Sequence, residues 1–190
     1  STRDLDFLGV HKQIANRLLE PFMYHTVVVT SSDYDNFFNL RVNSKAAPEI
    51  HKIAEMMQQA YANSSPTQLC VGQWHLPYVT DDEKQTVVLE DCLKLSAARC
   101  ARLSYMTQYG VRDHMEDFKL HDRLLKNGHM SPFEHQAMAC DIYWRDMMEM
   151  EPSTIHNALA HPDDNGNFSI GWKQYRKIAE RNSKLFGKAL

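Results

Sequence analysis

Apolar residues recur at helical spacing along most of this chain. Val10, Ile14, Leu18 and Leu19 form one stripe and Pro21 forbids its continuation, so the pattern predicts a helix from about Val10 to Glu20. The short β-branched run from Thr26 to Thr30 predicts a buried strand. Ser31 or Ser32 then caps a helix through Leu40, and Ile50, Ile53, Ala54, Met57, Ala60 and Tyr61 mark a longer amphipathic one. Two more helices are predicted over Val87 to Tyr105 and Asp113 to Asn127, the second with Met115, Phe118, Leu124 and Leu125 as its apolar stripe. Met138, Cys140, Ile142 and Trp144 alternate with Ala139, Asp141, Tyr143 and Arg145, which is the period of a strand. After the AspAsnGlyAsn turn, Ile170 to Leu185 reads as a closing helix. The expected class is α+β, a helix-rich single domain over residues 1–190 with a small antiparallel sheet.

The densest local signal is GlyHisMetSerProPheGluHis, Gly128 to His135. AsnGly at 127 and 128 is a helix C-cap, with Gly128 free to take a positive φ. Ser131 is a good N-cap, Pro132 suits the first helical position, and Glu134 is placed to complete a capping box, so a second helix is expected to begin here. Its free backbone NH groups would attract phosphate or another anion, and hence a nucleotide. The same residues are also what a well-made turn requires.

Composition narrows the functional classes. A chain of 190 residues with 43% hydrophobic content supports one well-buried core. The net charge is −3 and the Lys and Arg residues are dispersed, so there is no basic footprint for nucleic acid. Cys70, Cys92, Cys100 and Cys140 form no CysXXCys pair, which suits reduced thiols and a cytoplasmic setting better than disulfides. No apolar run approaches the roughly 20 residues that cross a bilayer, so no membrane partner is expected. His129, Glu134 and His135 lack the HisGluXXHis and HisXXGluHis spacings, so no metal site is expected. GlyXGlyXXGly and GlyXXXXGlyLysSer/Thr motifs are absent too.

Several ordered blocks point to one family. AlaAlaArgCysAlaArgLeuSerTyr (Ala97 to Tyr105) and the 128–135 segment resemble the AlaArgXSer and HisXSerProPheGluHis elements of flavin-dependent thymidylate synthases. ThrSerSerAspTyrAspAsnPhePheAsnLeuArg (Thr30 to Arg41), the helix that follows from Ala46 to Met57, and HisLysGlnIleAlaAsnArgLeuLeuGluPro (His11 to Pro21) resemble further elements of that family. Their order, with SerProPheGluHis after the PhePheAsnLeuArg block, is that of a longer, rearranged form found in phages and some bacteria. GlyGlnTrpHisLeuProTyrVal, around Trp74 and His75, and the run from Gly171 are also similar to that form, with no role assigned. The family signature, ArgHisArg followed by Ser, or ThrHisArg with SerArgAsn, is absent. The resemblance therefore implies that the chain, which opens at Ser1, is the C-terminal portion of a longer enzyme whose N-terminal segment is missing.

The resemblance implies methylation of dUMP to dTMP with FAD as cofactor and NADPH and methylenetetrahydrofolate as co-substrates, in a tetramer whose sites draw on several subunits. It places Arg17 on the substrate phosphate, Arg41 as the catalytic cation on the uracil, and Asn36, Ser104, His129 and Ser131 at the flavin. Each has a plainer reading. Arg17 also suits a surface or ion-paired position, Arg41 a helix C-terminus, Ser104 a helix end, Ser131 a cap and His129 a hydrogen bond within the turn. Asn36 and Arg41 are about 140° apart on a regular helix, so a shared ligand requires the helix to end near Leu40 or the Arg to reach around. A noncatalytic nucleotide- or flavin-binding remnant, or an assembly partner for another synthase, is the alternative.

Overall fold

The computed structural model describes residues 2–103, 113–140, 164–169 and 171–185. Eight α-helices occur among the described residues: α1 (Thr2–Phe7), α2 (Lys12–Ala15), α3 (Asp35–Arg41), α4 (Pro48–Ala62), α5 (Asp81–Thr86), α6 (Leu89–Arg102), α7 (His114–Lys126) and α8 (Tyr175–Leu185). Three short strands, β1 (Trp74–His75), β2 (Ala137–Ala139) and β3 (Trp172–Gln174), form an antiparallel sheet in that order. Trp74 pairs with Met138 and Ala137 with Gln174, so β2 lies between two segments distant in the chain. The helix-rich α+β expectation with a small antiparallel sheet holds at this level.

α6 is the centre of the fold. It contains no Gly or Pro, carries Glu90 and Asp91 in its first turn and Arg99 and Arg102 in its last, and so complements its own dipole. It is buried on nearly every side, from Leu95 to Cys100 without interruption. Toward one end Cys92, Leu93 and Leu95 pack with Leu76 and Val79, and toward the other Ala97 packs with Met130, Phe133 and Ala179. Tyr175 touches both clusters.

A buried ion network ties α6 to its neighbours. Thr80 and Glu83 form a capping box at the start of α5, and the same Glu83 carboxylate takes both ends of the Arg99 guanidinium at 2.7 Å. Arg99 also donates to the Tyr78 carbonyl at 2.8 Å and to Asp117 of α7 at 3.1 Å. Arg102 lies 3.2 Å from the other oxygen of Asp117, and His114 lies 3.0 Å from Glu83. The Arg99 fork is thus satisfied on three sides, the condition under which a buried guanidinium is tolerated.

α7 ends as its sequence requires. Gly128 has φ +70°, its N–H donates to Leu125 O, and the His129 N–H donates to Leu124 O, the paired bonds of a Schellman motif. The helix expected to start at Ser131 does not form. Residues Ser131–Glu134 make a single 3₁₀ turn, the cap position is Met130, and no side chain caps it. The reason is the strand that follows: Gln136 O accepts from the Tyr175 N–H, and Ala137 is in register with Gln174, which pulls the chain into the sheet one turn after Pro132.

The expected Val10–Glu20 helix is reduced to α2 followed by 3₁₀ turns at Asn16–Leu18 and Glu20–Phe22, with Pro21 at the start of the second. Ile14 and Leu18 stay more than half exposed, and an unpacked stripe of this length does not propagate a helix. Thr26–Thr30 forms no strand and is not buried, with Val27 and Val29 exposed, because no described strand lies beside it to complete a ladder. Ser31 and Asp33 shape the entry to α3 as successive side-chain turns, Asp33 accepting from the Asp35 N–H at 2.8 Å, while Tyr34 occupies the cap position. The period-two strand is realised only over Ala137–Ala139, since Cys140 leaves regular structure and 141–145 lie outside the described residues. The closing helix starts at Tyr175 because Trp172–Gln174 is taken by the sheet, while Ile170 lies outside the described residues.

Removing one partner of the buried network should be costly. Arg99→Met leaves Glu83 and Asp117 without their shared cation and is expected to lower stability by about 3 to 5 kcal/mol in urea denaturation. Hydrogen bonding to Arg99 holds the Glu83 carboxyl well below its ordinary 4.5. A depressed carboxylate contributes stability that is complete above its unfolded value and lost as pH falls through the folded one, so the loss should set in below about pH 4.5. Glu83→Gln should flatten that acid limb, and an unchanged limb would remove Glu83 from the network's energetics.

Candidate functional site

The junction between the 30–41 block and the 128–135 segment is built from hydrogen bonds. His135 Nδ1 lies 3.0 Å from the Thr30 hydroxyl, Asn167 Nδ2 donates to Thr30 O at 2.7 Å, and the Ser169 N–H donates to Ser32 Oγ at 2.6 Å. Phe133, fully buried against the rings of His121 and Tyr175, anchors the segment from below. Glu134 is held by Arg176 of α8, and its carbonyl accepts from Gln174 Nε2. Glu134 therefore works as a tie to α8 and not as a capping residue. Gly166, in the turn beside this junction, has φ +58°, and a Cβ there would overlap the Gln174 amide.

Next to the junction a groove of about 950 Å³ opens along α7, beside the C-terminal end of α6 and the 127–132 turn. His129 and Ser131 line it, and so do Arg102, Lys119 and Arg123, with Glu116 the one carboxylate among its lining residues. Leu120, Leu124 and Met130 supply an apolar wall. The signal for these cations was present in the sequence as Lys119 and Arg123 at i and i+4 on α7, but only the packing of α6 against α7 brings Arg102 to the same place.

The sequence-selected residues divide into two groups. His129 and Ser131 share the groove, both exposed. Asn36 and Arg41 lie exposed on α3, which runs through Arg41 and so keeps the two on different sides of one helix. Arg17 is exposed on its 3₁₀ turn, and none of these three lines the groove. Ser104 lies outside the described residues. The cysteines are free: burial pushes the Cys100 thiol up to about 12 and raises Cys92 and Cys140, so these three are protonated near neutrality and poor nucleophiles. No described helix is long and apolar enough to cross a membrane.

Comparison of the chain with family models, with curated proteins and with solved structures returns no match.

Burial lowers the His135 pKa from 6.5 despite the opposing charge of Glu134. The folded state thus favours neutral His135, and its contribution is complete above pH 6.5 and declines as pH falls through and below that value. Hydrogen exchange at the amides of 30–32, corrected for intrinsic rates, should speed up as pH falls below 6.5 in the parent, and His135→Gln should remove that dependence. Equal pH dependence in both proteins would mean that His135 does not hold the junction.

Proposed function

We propose that this chain is the C-terminal portion of a flavin-dependent thymidylate synthase, converting dUMP to dTMP with FAD, methylenetetrahydrofolate and NADPH. The observation that carries the reading is the meeting of two of its motif blocks: Thr30 and His135, 105 residues apart, are in hydrogen-bond contact. The contact is what blocks that build one site would make, and it also serves the packing of the fold.

The residues present suit the groups they would hold. The cations and apolar wall beside His129 and Ser131 suit a nucleotide with its phosphates, whereas Asn36 and Arg41 are exposed on α3, outside that groove. Reduced FAD supplies the hydride. On this reading Arg41 is the catalytic residue, its fixed positive charge stabilising negative charge that develops on the uracil, Arg17 binds the substrate phosphate, and Asn36, His129 and Ser131 hold the flavin, as Ser104 would. The raised thiols of Cys92, Cys100 and Cys140 accord with an activation that uses electrostatics instead of a cysteine. The separation of Asn36 and Arg41 from the groove accords with a tetrameric enzyme whose sites combine residues of several subunits. The same separation also favours a second reading, a noncatalytic flavin- or nucleotide-binding remnant that assembles with another synthase.

The deciding experiment supplies a segment bearing the ArgHisArg or ThrHisArg signature and measures flavin absorbance and dTMP formation. Stoichiometric flavin with dTMP formation is expected, and flavin without dTMP supports the remnant. In the assembled enzyme, Arg41→Ala should slow turnover on the order of 100-fold while changing stability by about 1 kcal/mol or less. Ser131→Asp should leave the melting temperature nearly unchanged, because exposed Ser131 caps no helix, yet expel FAD by charge repulsion. An Asp variant fully loaded with FAD removes Ser131 from the site.

A further inference from the structure

We propose that Asn167 is a positioning residue: its side-chain amide, set by Gln174, fixes the segment that leads into α3 against the SerProPheGluHis segment, and with it the placing of Asn36 and Arg41. α3 and α4 pack chiefly on each other. Phe38 is buried against the rings of Tyr34 and Tyr61, and neither apolar cluster around α6 includes a described residue of either helix. Among the described residues, the hydrogen bonds that join residues 30–62 to distant parts of the chain all fall on Thr30 and Ser32. His135 supplies one of them. The turn at 164–169 supplies the other two, Asn167 Nδ2 to Thr30 O at 2.7 Å and the Ser169 N–H to Ser32 Oγ at 2.6 Å. From there to α3 the chain is braced, since the Tyr34 hydroxyl donates back to Val29 O at 3.1 Å and the Asp35 N–H donates to Asp33 Oδ1 at 2.8 Å. A shift at Thr30 is therefore carried into the first turn of α3, where Asn36 stands.

Gln174 is the fixed end of this clamp. It is 2% exposed, its backbone N–H donates to Asp164 O at 2.8 Å, and its Nε2 donates both to Glu134 O at 3.2 Å and to Asn167 Oδ1. The last bond decides how the Asn167 amide lies: with Oδ1 taken by a donor, Nδ2 is turned to the Thr30 carbonyl, which can only accept. The turn is packed directly on the Gln174 amide, because a Cβ at Gly166 would overlap it, and buried Phe168 anchors the turn 5.7 Å from the Trp172 ring. Gln174 thus holds the backbone at Glu134 and the 164–169 turn at one spacing, and Asn167 passes that spacing to residue 30. The proposal rests on the synthase reading only in giving Asn36 and Arg41 chemical work, whereas the clamp follows from the bonds themselves. On that reading a displacement of about 1 Å is enough to cost on the order of 100-fold in rate, so one hydrogen bond at the junction can govern turnover.

Asn167→Asp tests the assignment, because the new side chain keeps an acceptor for Gln174 but as a carboxylate cannot donate to Thr30 O. At pH 7 hydrogen exchange at Asp33, Asp35 and Ser169, corrected for intrinsic rates, should be about five- to tenfold faster than in the parent, and Asn167→Ala should behave alike. Amides within α6 should keep their parental rates, and melting temperatures should match because Asn167 is exposed. As pH falls toward about 4 the protonated carboxyl of the Asp variant can donate to Thr30 O, so its rates relative to the parent should return toward one, while those of Asn167→Ala should not. Parental exchange at Asp33 and Asp35 in both variants, or loss of protection spread equally into α6, overturns the clamp. In the chain complemented with its signature segment, Asn167→Asp should lower kcat for dTMP formation at least about tenfold at pH 7. A parental kcat in that variant overturns the positioning role. A complemented parent that forms no dTMP ends the enzyme reading instead, and the exchange rates still decide the clamp.

Discussion

Arg99 is the constraint on which the packing of α5, α6 and α7 depends. Its guanidinium is buried where α5, α6 and α7 meet, and there it requires acceptors in the directions its planar fork sets. Glu83, the Tyr78 carbonyl and Asp117 fill those directions, and each belongs to a different piece of chain. Satisfying one buried charge thus fixes the turn at 77–80, the start of α5 and the approach of α7 at once. Glu83 is bound twice over, since the carboxylate that takes Arg99 also closes the capping box with Thr80. Ser96 reinforces the same turn by donating to Pro77 O at 2.8 Å.

A second layer rests on the first. With α7 held against α6, His121 faces Phe133 at 5.1 Å between ring centres, and Tyr175 closes the cluster from the start of α8. Burial holds His121 below its usual pKa and pushes Tyr175 up to about 12, so their 3.1 Å contact joins neutral groups. Gln136 extends the polar thread by donating to Ser96 Oγ at 3.1 Å. The SerProPheGluHis segment is thereby fastened through Phe133 below, Glu134 to α8 and His135 to Thr30, which leaves Ser131 as its solvent-facing member beside the groove. A segment whose sequence suggests a free helix end is, in three dimensions, a junction at which each residue faces a different neighbour.

The parts of the fold legible in the sequence are those settled within a few residues. α4, α6 and α7 follow from their apolar periodicity, and the end of α7 follows from Gly128, because a Schellman motif needs only the last turn and a residue that accepts positive φ. Ser131 misled because its local pattern suits an N-cap while the decision was taken by Ala137 and Gln174, 37 residues apart in the chain. Residues 10–30 misled for the opposite reason: the helical and strand patterns are present, but Ile14, Leu18, Val27 and Val29 find nothing to pack against, and propensity alone does not hold short elements in water. For the site, His129 and Ser131 were legible as neighbours in sequence. Arg102, the arginine of the AlaArgXSer block, was not selected beside them, because only the packing of α6 against α7 brings it to Lys119 and Arg123.

The division of the candidate residues follows from the same physics. Residues that approach one another do so where α6, α7 and the sheet hold them, and Arg17 is carried instead on a stretch whose large apolar side chains, among them Phe7, Phe22 and Val27, remain more than 70% exposed, while Asn36 and Arg41 lie exposed on α3. Covering each such side chain would contribute about 1.5 to 3 kcal/mol, so a partner would add most around Arg17. α3 itself is not loose, since Phe38 is buried among Tyr34 and Tyr61 and its block is tied to His135 and Ser169. On the proposed reading, assembly and catalysis are then coupled by construction: the contacts that bury the 7–29 segment would be the ones that fix Arg17 and close the environment of Arg41, so a single chain holds its groove ready while its substrate cations wait for a neighbour.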